Sequence, residues 1–455
     1  MSLMERLERQ KNINQSEAAE TGAGRGGVRH TAPAAPADDY AELKSRMHSE
    51  VIDLLNRDSA QLREDGEDKE AFIRSAIESV LNIRGEDIPR VERGRIVTEL
   101  YNDIVGLGPL DPLLADPDIS EIMVNGPDHV YVEMRGKIHL TEVKFRDDAH
   151  VMNIINRIVT SIGRRIDESS PMVDARLADG SRVNAIIPPC ALTGPTITIR
   201  KFSKNPLTVT DLIRFGSVSP QMVSFLEACV KARLNIVVSG GTGSGKTTLL
   251  SVLSDYIPEN ERIVTIEDAA ELQLRQEHVI TLESKPPNVE GTGAVTIRDL
   301  VRNALRMRPD RIVVGEVRSG ETLDMLQAMN TGHDGSLTTA HANSPRDLMS
   351  RLETMVLMSG LEMPVKAIRE QIASALDLVI QQSRMRDGSR KIVSIYEVVG
   401  MEGDTITLQD LFVYRPSGYG PDGARGAFVS TGIRPNFAEK MADNGVPLHD
   451  DWFRN

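Results

Sequence analysis

Gly240-Gly241-Thr242-Gly243-Ser244-Gly245-Lys246-Thr247 limits what this chain can fold into more than any other stretch. It follows Asn235-Ile236-Val237-Val238-Ser239, an apolar run with the character of a buried strand. It leads into Thr248-Leu249-Leu250-Ser251-Val252-Leu253, spaced as a buried helix. A G-x-x-x-x-G-K-[ST] match between a strand and a helix is a phosphate-binding P-loop. Its glycines let successive N–H groups curl around phosphate oxygens, and the helix turns its positive end toward the same anion. Lys246 is placed to reach the terminal phosphates, and Thr247 to offer its hydroxyl to Mg²⁺. Residues 240–248 therefore predict a nucleoside triphosphate site in an α/β sheet.

The 455 residues allow two to four domains. Aromatic content of 4% and a formal charge of −13 argue against a surface that wraps nucleic acid, and no direct nucleic-acid binding is expected. Cys190 and Cys229 are the only cysteines, too few for a four-cysteine zinc site or a disulfide framework. No apolar run approaches the roughly 18 residues of a membrane span, and the N-terminus lacks a signal-peptide core. A cytoplasmic protein is expected, meeting the inner membrane only through partners.

Along the chain, residues 1–39 are polar and end in an Ala/Pro-rich stretch, which predicts a disordered arm and linker. Residues 40–100 carry three amphipathic patterns that predict a small helical bundle. Residues 101–205 alternate short strand patterns with one helix, a smaller mixed α/β domain, and a hinge is expected at 204–210. From 206 to 400, apolar strands alternate with helices as in a parallel sheet covered on both faces. Residues 401–455 are rich in Gly, Pro and Asp and contain Trp452, the only tryptophan, expected to pack on the preceding domain.

Hydrolysis also needs carboxylates and positive charge at the transferring phosphoryl group. Ile263-Val264-Thr265-Ile266 delivers Glu267 and Asp268 at its tip, with Glu271 just beyond; Arg311-Ile312-Val313-Val314-Gly315 delivers Glu316. Ligands of open α/β sheets sit at such strand ends. In the polar stretch from Thr331 to Ser344, His341 is expected at a strand exit near the γ-phosphate, whereas His333 reads equally as structure or function. Arg298, Arg302 and Arg306 form a stripe with the pattern of a solvated helix face or a subunit boundary. Arg176, Arg182 and Arg200 lie before the P-loop and are candidates to reach a nucleotide from another domain or subunit.

The ordered set of residues 240–247, Thr265-Ile266-Glu267-Asp268-Ala269-Ala270-Glu271-Leu272, Val313-Val314-Gly315-Glu316-Val317-Arg318 and residues 331–344 resembles the Walker A, Asp box, Walker B and His box of the type II/IV secretion ATPase superfamily. Residues 106–125 and 174–184 resemble that superfamily's N-terminal α/β domain. The tail and the helical bundle look most like its CpaF/TadA branch, the motors of Flp or tight-adherence pili. The resemblance implies a RecA-like P-loop domain after a smaller α/β domain and a helical bundle. It implies a homohexamer that uses ATP and Mg²⁺ and works with inner-membrane pilus platform proteins and other assembly components. Glu271 would be the catalytic glutamate, supported by Glu267, and Glu316 would act near Mg²⁺ and water, with Thr247 on the metal. His341 would sense the γ-phosphate; Arg182 with Arg176, and Arg200 in nucleotide binding, would supply charge from the N-terminal domain. The alternatives are a type IV secretion or conjugation ATPase, a RecA-like nucleic-acid translocase, and a nucleotide-gated assembly switch with little turnover.

Overall fold

A computed structural model of the chain describes residues 40–57, 66–85, 88–134, 136–202, 206–287, 291–420 and 423–454. The arm expected at 1–39, Arg135 and part of the expected hinge lie outside these residues. Among the described residues, no helix is long and apolar enough to cross a membrane.

Helices Ala41–Arg57, Gly66–Arg84 and Arg90–Val105 close on a core of their own, with Met47, Val51, Ile77, Ile96 and Leu100 at its centre. The next unit is a six-stranded antiparallel sheet built from β1 (Ile119–Asn125), β2 (Val130–Met134), β3 (Lys137–Leu140), β4 (Met172–Arg176), β5 (Arg182–Ile186) and β6 (Thr196–Arg200), in the order β3-β2-β1-β6-β5-β4. Its alternating apolar residues, such as Ile122, Val124, Ile197 and Ile199, meet the Ile154, Ile155 and Ile158 face of helix Asp148–Ser161. Asp147 starts that helix by accepting a hydrogen bond from the His150 N–H at 2.7 Å.

A nine-stranded sheet forms the body. It contains β7 (Ile236–Gly240), β8 (Ile263–Glu267), β9 (Val279–Glu283), β10 (Arg311–Val317), β11 (Leu337–His341), β12 (Leu378–Arg384), β13 (Arg390–Glu402), β14 (Thr405–Gly420) and β15 (Gly423–Ser430). The order is β15-β14-β13-β12-β7-β11-β10-β8-β9, parallel from β12 to β9 and antiparallel from β12 to β15. The parallel strands are apolar on both faces. Ile236 and Val238 feed one core while Val237 feeds the other, and Val313 is set against Ile312 and Val314 in the same way. The fold is mixed α/β with a RecA-like P-loop body, in which β11 separates the P-loop strand from the strand that carries Glu316.

Beyond residue 400 the chain keeps adding sheet, as the long hairpin of β14 and β15. The short segment after it folds back, so that Phe437, Trp452 and Phe453 surround Phe225 with ring centroids 5.8–6.4 Å apart. Lys440 ties the same segment to the body through Asp377 at 2.8 Å. In the arginine stripe Arg302 and Arg306 are exposed, as a solvated face requires, but the stripe also makes buried contacts. Arg298 and Arg302 grip the buried Asp324 at 2.8 and 2.7 Å, so two of its members fasten helix Ile297–Ala304 to helix Glu321–Asn330.

Candidate active site

Parallel pairing lines up the carboxyl ends of six strands. His341 is paired with Gly240, Gln382 with the same Gly240 from the other side, Val314 with Ile266, and Glu267 with Glu283. Gly240, Glu267, Glu316, His341 and Arg384 therefore share one edge of the sheet, the edge where α/β sheets bind ligands.

The P-loop leaves β7 at Gly240, where a Cβ would collide with the Gln382 carbonyl oxygen of the adjoining strand. Gly243 and Gly245 have φ of 68° and 94°, left-handed conformations that a side chain would strain. Between these glycines, Gly241 and Thr242 begin the turn and Ser244 is buried with its Oγ unpartnered in the described residues. Helix Lys246–Ser254 then begins with Lys246, Thr247 and Thr248. Lys246 is only 7% exposed; burial lowers its pKa, and it makes no ion pair among the described residues. Its Nζ donates to the Gly241 carbonyl at 3.2 Å and stands 3.3 Å from His341 Nδ1. An ammonium buried against neutral acceptors, beside an orphaned hydroxyl and a helix N-terminus, fits a polyphosphate.

His341 Nε2 lies 2.9 Å from Glu316 Oε1, and Arg318 holds the other Glu316 oxygen at 2.6 Å while reaching Asp268 at 3.2 Å. Charge thus alternates along Lys246, Glu316, Arg318 and Asp268, with the His341 ring between the first two. Burial first, and then the Lys246 ammonium, lowers the His341 pKa and favours a neutral imidazole able to bridge the two. Thr247 and Glu316 offer hydroxyl and carboxylate oxygens, the hard donors that suit Mg²⁺ bound jointly with phosphates.

Glu267 is 4% exposed, and burial pushes its pKa up to about 7. Its Oε1 accepts from the N–H groups of Glu271 at 3.1 Å and Leu272 at 3.2 Å, so it shapes the turn that presents Glu271. Gly315 makes room for it, because a Cβ there would come within 2.7 Å of Glu267 Cγ.

The antiparallel sheet supplies the positive charge. Arg182 pairs with Glu271 at 3.0 Å, and Arg200 lies 3.6 Å from the same oxygen. Arg176 sits to one side, on Glu283 at 2.6 Å and the Ala270 carbonyl at 3.0 Å. Thr247, Thr248, Glu271, Arg182 and Arg200 line a cavity of about 260 Å³, together with Phe202, Pro206 and Leu207. All the candidate residues thus gather at this edge, with Arg176 displaced toward β9. His333 does not: it precedes β11, at the far end from His341.

A protein-family model described as "Type II/IV secretion system protein" matches residues 103–418. The chain belongs to that family. A putative conjugal transfer protein of Mycobacterium tuberculosis is 38% identical over 310 residues, 67% of this chain and 88% of the relative. The type IV secretion system protein VirB11 of Brucella abortus is 33% identical over 316 residues, 63% of this chain and 87% of the relative. The solved VirB11 ATPase of Brucella suis, in complex with sulphate, aligns with 65% of this chain and 97% of its own at 31% identity, with a TM-score of 0.36. The family model begins at helix Arg90–Val105 and ends within β14, so most of the helical bundle and the chain beyond 418 lie outside it.

Three arginines of this edge, Arg318, Arg384 and Arg390, carry no motif of their own in the sequence. Arg318 was legible only as a residue two positions beyond Glu316. Arg384 and Arg390 flank Asp387-Gly388, a turn-forming pair, but nothing in the sequence places their hairpin beside the P-loop.

Proposed function

We propose that this chain is a Mg²⁺-dependent ATPase whose hydrolysis cycle moves the antiparallel sheet against the P-loop body, and that it works as a homohexamer driving a membrane-bound assembly. The observation that carries this is the pairing of Arg182 with Glu271 across the cavity. In that arrangement each is neutralised by the other, and neither is free for chemistry. Phosphates entering between the two sheets would compete with the Arg182–Glu271 pair for the same charge, so nucleotide entry would separate the sheets. Separation breaks the pair. Arg182 and Arg200 are then available to the phosphates, and Glu271 to a water.

Each residue has a part in this scheme. The loop from Gly240 to Gly245, with Lys246, Thr247 and Thr248, binds the phosphates. Thr247 and Glu316 would hold Mg²⁺, which would supply positive charge to the phosphates. Glu271 accepts the proton of the attacking water, and Glu267 holds the turn that aims it. His341, between Lys246 and Glu316, registers the γ-phosphate by losing or keeping those contacts. Arg176 anchors the moving sheet to the turn before Glu271 through Ala270 and Glu283.

For the machine it drives, Flp-type pilus assembly through an inner-membrane platform protein is the first reading. It rests on the helices before residue 103 and the chain after 418, which lie outside the family match. A type IV secretion or conjugation complex is the second reading, favoured by the names of the relatives. Cells lacking the chain should lose surface filaments in the first case and substrate or DNA transfer in the second. For the chemistry, Glu271→Ala and Glu316→Gln should keep nucleotide binding and lose steady-state turnover; normal hydrolysis by both removes the catalytic assignment.

A further inference from the structure

β12 and β13 meet at a hairpin whose last paired residues are Arg384 and Arg390, directly opposite one another. Like charges in that relation destabilise a sheet. Neither guanidinium forms an ion pair among the described residues, although the chain as a whole carries a net charge of −13. Burial lowers the Arg390 pKa, and Arg384 and Arg200 lower it further; Glu133 is the acid acting in the opposite sense. Folding has therefore assembled positive charge here without neutralising it.

The place is specific. β12 is in register with β7 up to Gln382 and Gly240, so Arg384 projects past the point where β7 turns into the P-loop. Arg390 donates its Nε–H to the Gly243 carbonyl at 3.0 Å, and its Cδ would be 3.1 Å from a Cβ on Gly245. Arg384 Nη1 would be 3.5 Å from a Cβ on Gly243, while its Nη2 donates to the Gly136 carbonyl of the β2–β3 turn at 3.2 Å. Both arginines therefore lie against the glycines of the phosphate loop, and Arg384 also touches the antiparallel sheet.

We propose that Arg384 and Arg390 are a cross-strand guanidinium pair belonging to the nucleotide site, in which Arg390 fixes the P-loop and Arg384 exchanges the Gly136 carbonyl for a phosphate oxygen of the bound nucleotide. The inference rests on the nucleotide reading above. It adds a residue set from the side of the loop opposite Glu316. The exchange couples loop occupancy to release of the β2–β3 turn, because one guanidinium group serves both contacts.

The test is titration of the full-length protein with fluorescent ATP and ADP analogues in Mg²⁺, together with melting of the nucleotide-free protein. The variants are Arg384→Gln, Arg384→Lys and, as a control for net charge, Arg386→Gln in the same turn. Loss of one charge-assisted hydrogen bond predicts about tenfold weaker binding for Arg384→Gln, partial recovery for Arg384→Lys and wild-type affinity for Arg386→Gln. Because the substitution also relieves cross-strand repulsion, the nucleotide-free melting temperature should not fall. Wild-type affinity in Arg384→Gln overturns the proposal, whatever happens to melting. If affinity and melting temperature both fall, Arg384→Lys decides: recovered affinity sustains the proposal, and no recovery makes Arg384 a structural bridge. If the unmodified protein binds neither analogue, the nucleotide reading itself has failed, which is a different outcome.

Discussion

Replacing Glu267 by Gln should stabilise the protein, and increasingly so as the pH rises. Burial lifts the Glu267 carboxyl from an ordinary 4.5 to about 7. With the folded-state value raised, the unfolded chain ionises first, so the fold loses stability between the two values as pH increases. At about 1.4 kcal/mol per pH unit, the charged form costs about 1 kcal/mol at pH 5 and about 3 kcal/mol at pH 8. Gln cannot ionise and keeps an oxygen for the N–H groups of Glu271 and Leu272, so it escapes that cost without giving up the turn. The assay is thermal melting of both proteins from pH 5 to pH 8 in the absence of nucleotide. The gap in melting temperature should be small at pH 5 and open to several degrees by pH 8, since 1 kcal/mol moves a mid-sized domain by about 2–4 °C. A gap that stays constant with pH would refute the account, because the buried carboxyl would then not be titrating in this range.

Gly315→Ala pushes a methyl group into Glu267 and should cost about 1–3 kcal/mol by overpacking, with turnover lost through the displaced Glu271 turn; melting and steady-state ATPase rates check both. Gly335→Ala should be worse, since Gly335 has φ of 83° and its Cβ would overlap the guanidinium of the fully buried Arg311, so low soluble yield or a much lower melting temperature is expected. Arg182→Ala removes a half-exposed ion pair worth about 1 kcal/mol or less, so melting should barely change. Its kcat should nonetheless fall at least tenfold, and an unchanged kcat would leave Arg182 as a surface contact.

The phosphate loop was legible in the sequence because its chemistry is contiguous: the glycines, the lysine and both flanking elements occur within about 20 residues. Glu267 and Glu316 were legible because each ends an apolar run, and His341 because it falls at a strand exit in a polar stretch; strand tips in parallel sheets converge. Contacts that depend on register were not. That Arg384 faces Arg390, or that His341 falls beside Lys246, follows from which strands become neighbours, and local periodicity carries no such information. The pairing of Arg298 and Arg302 with Asp324 was not legible, because Asp324 lies over 20 residues away on a second helix. Strands β14 and β15 were hidden by Pro416, Gly418, Gly420, Gly423 and Gly426, residues that weaken strand propensity yet are tolerated in an outer hairpin.

Specific ATPase rate measured across protein concentration, with molar mass by light scattering in the same samples, tests the central claim most directly. A shared-ring motor predicts a Mg²⁺-dependent rate per chain that rises as hexamers form and then levels off. A rate independent of concentration from a monomeric chain would contradict it, and would mean that Arg182, Glu271 and the P-loop of one chain suffice on their own.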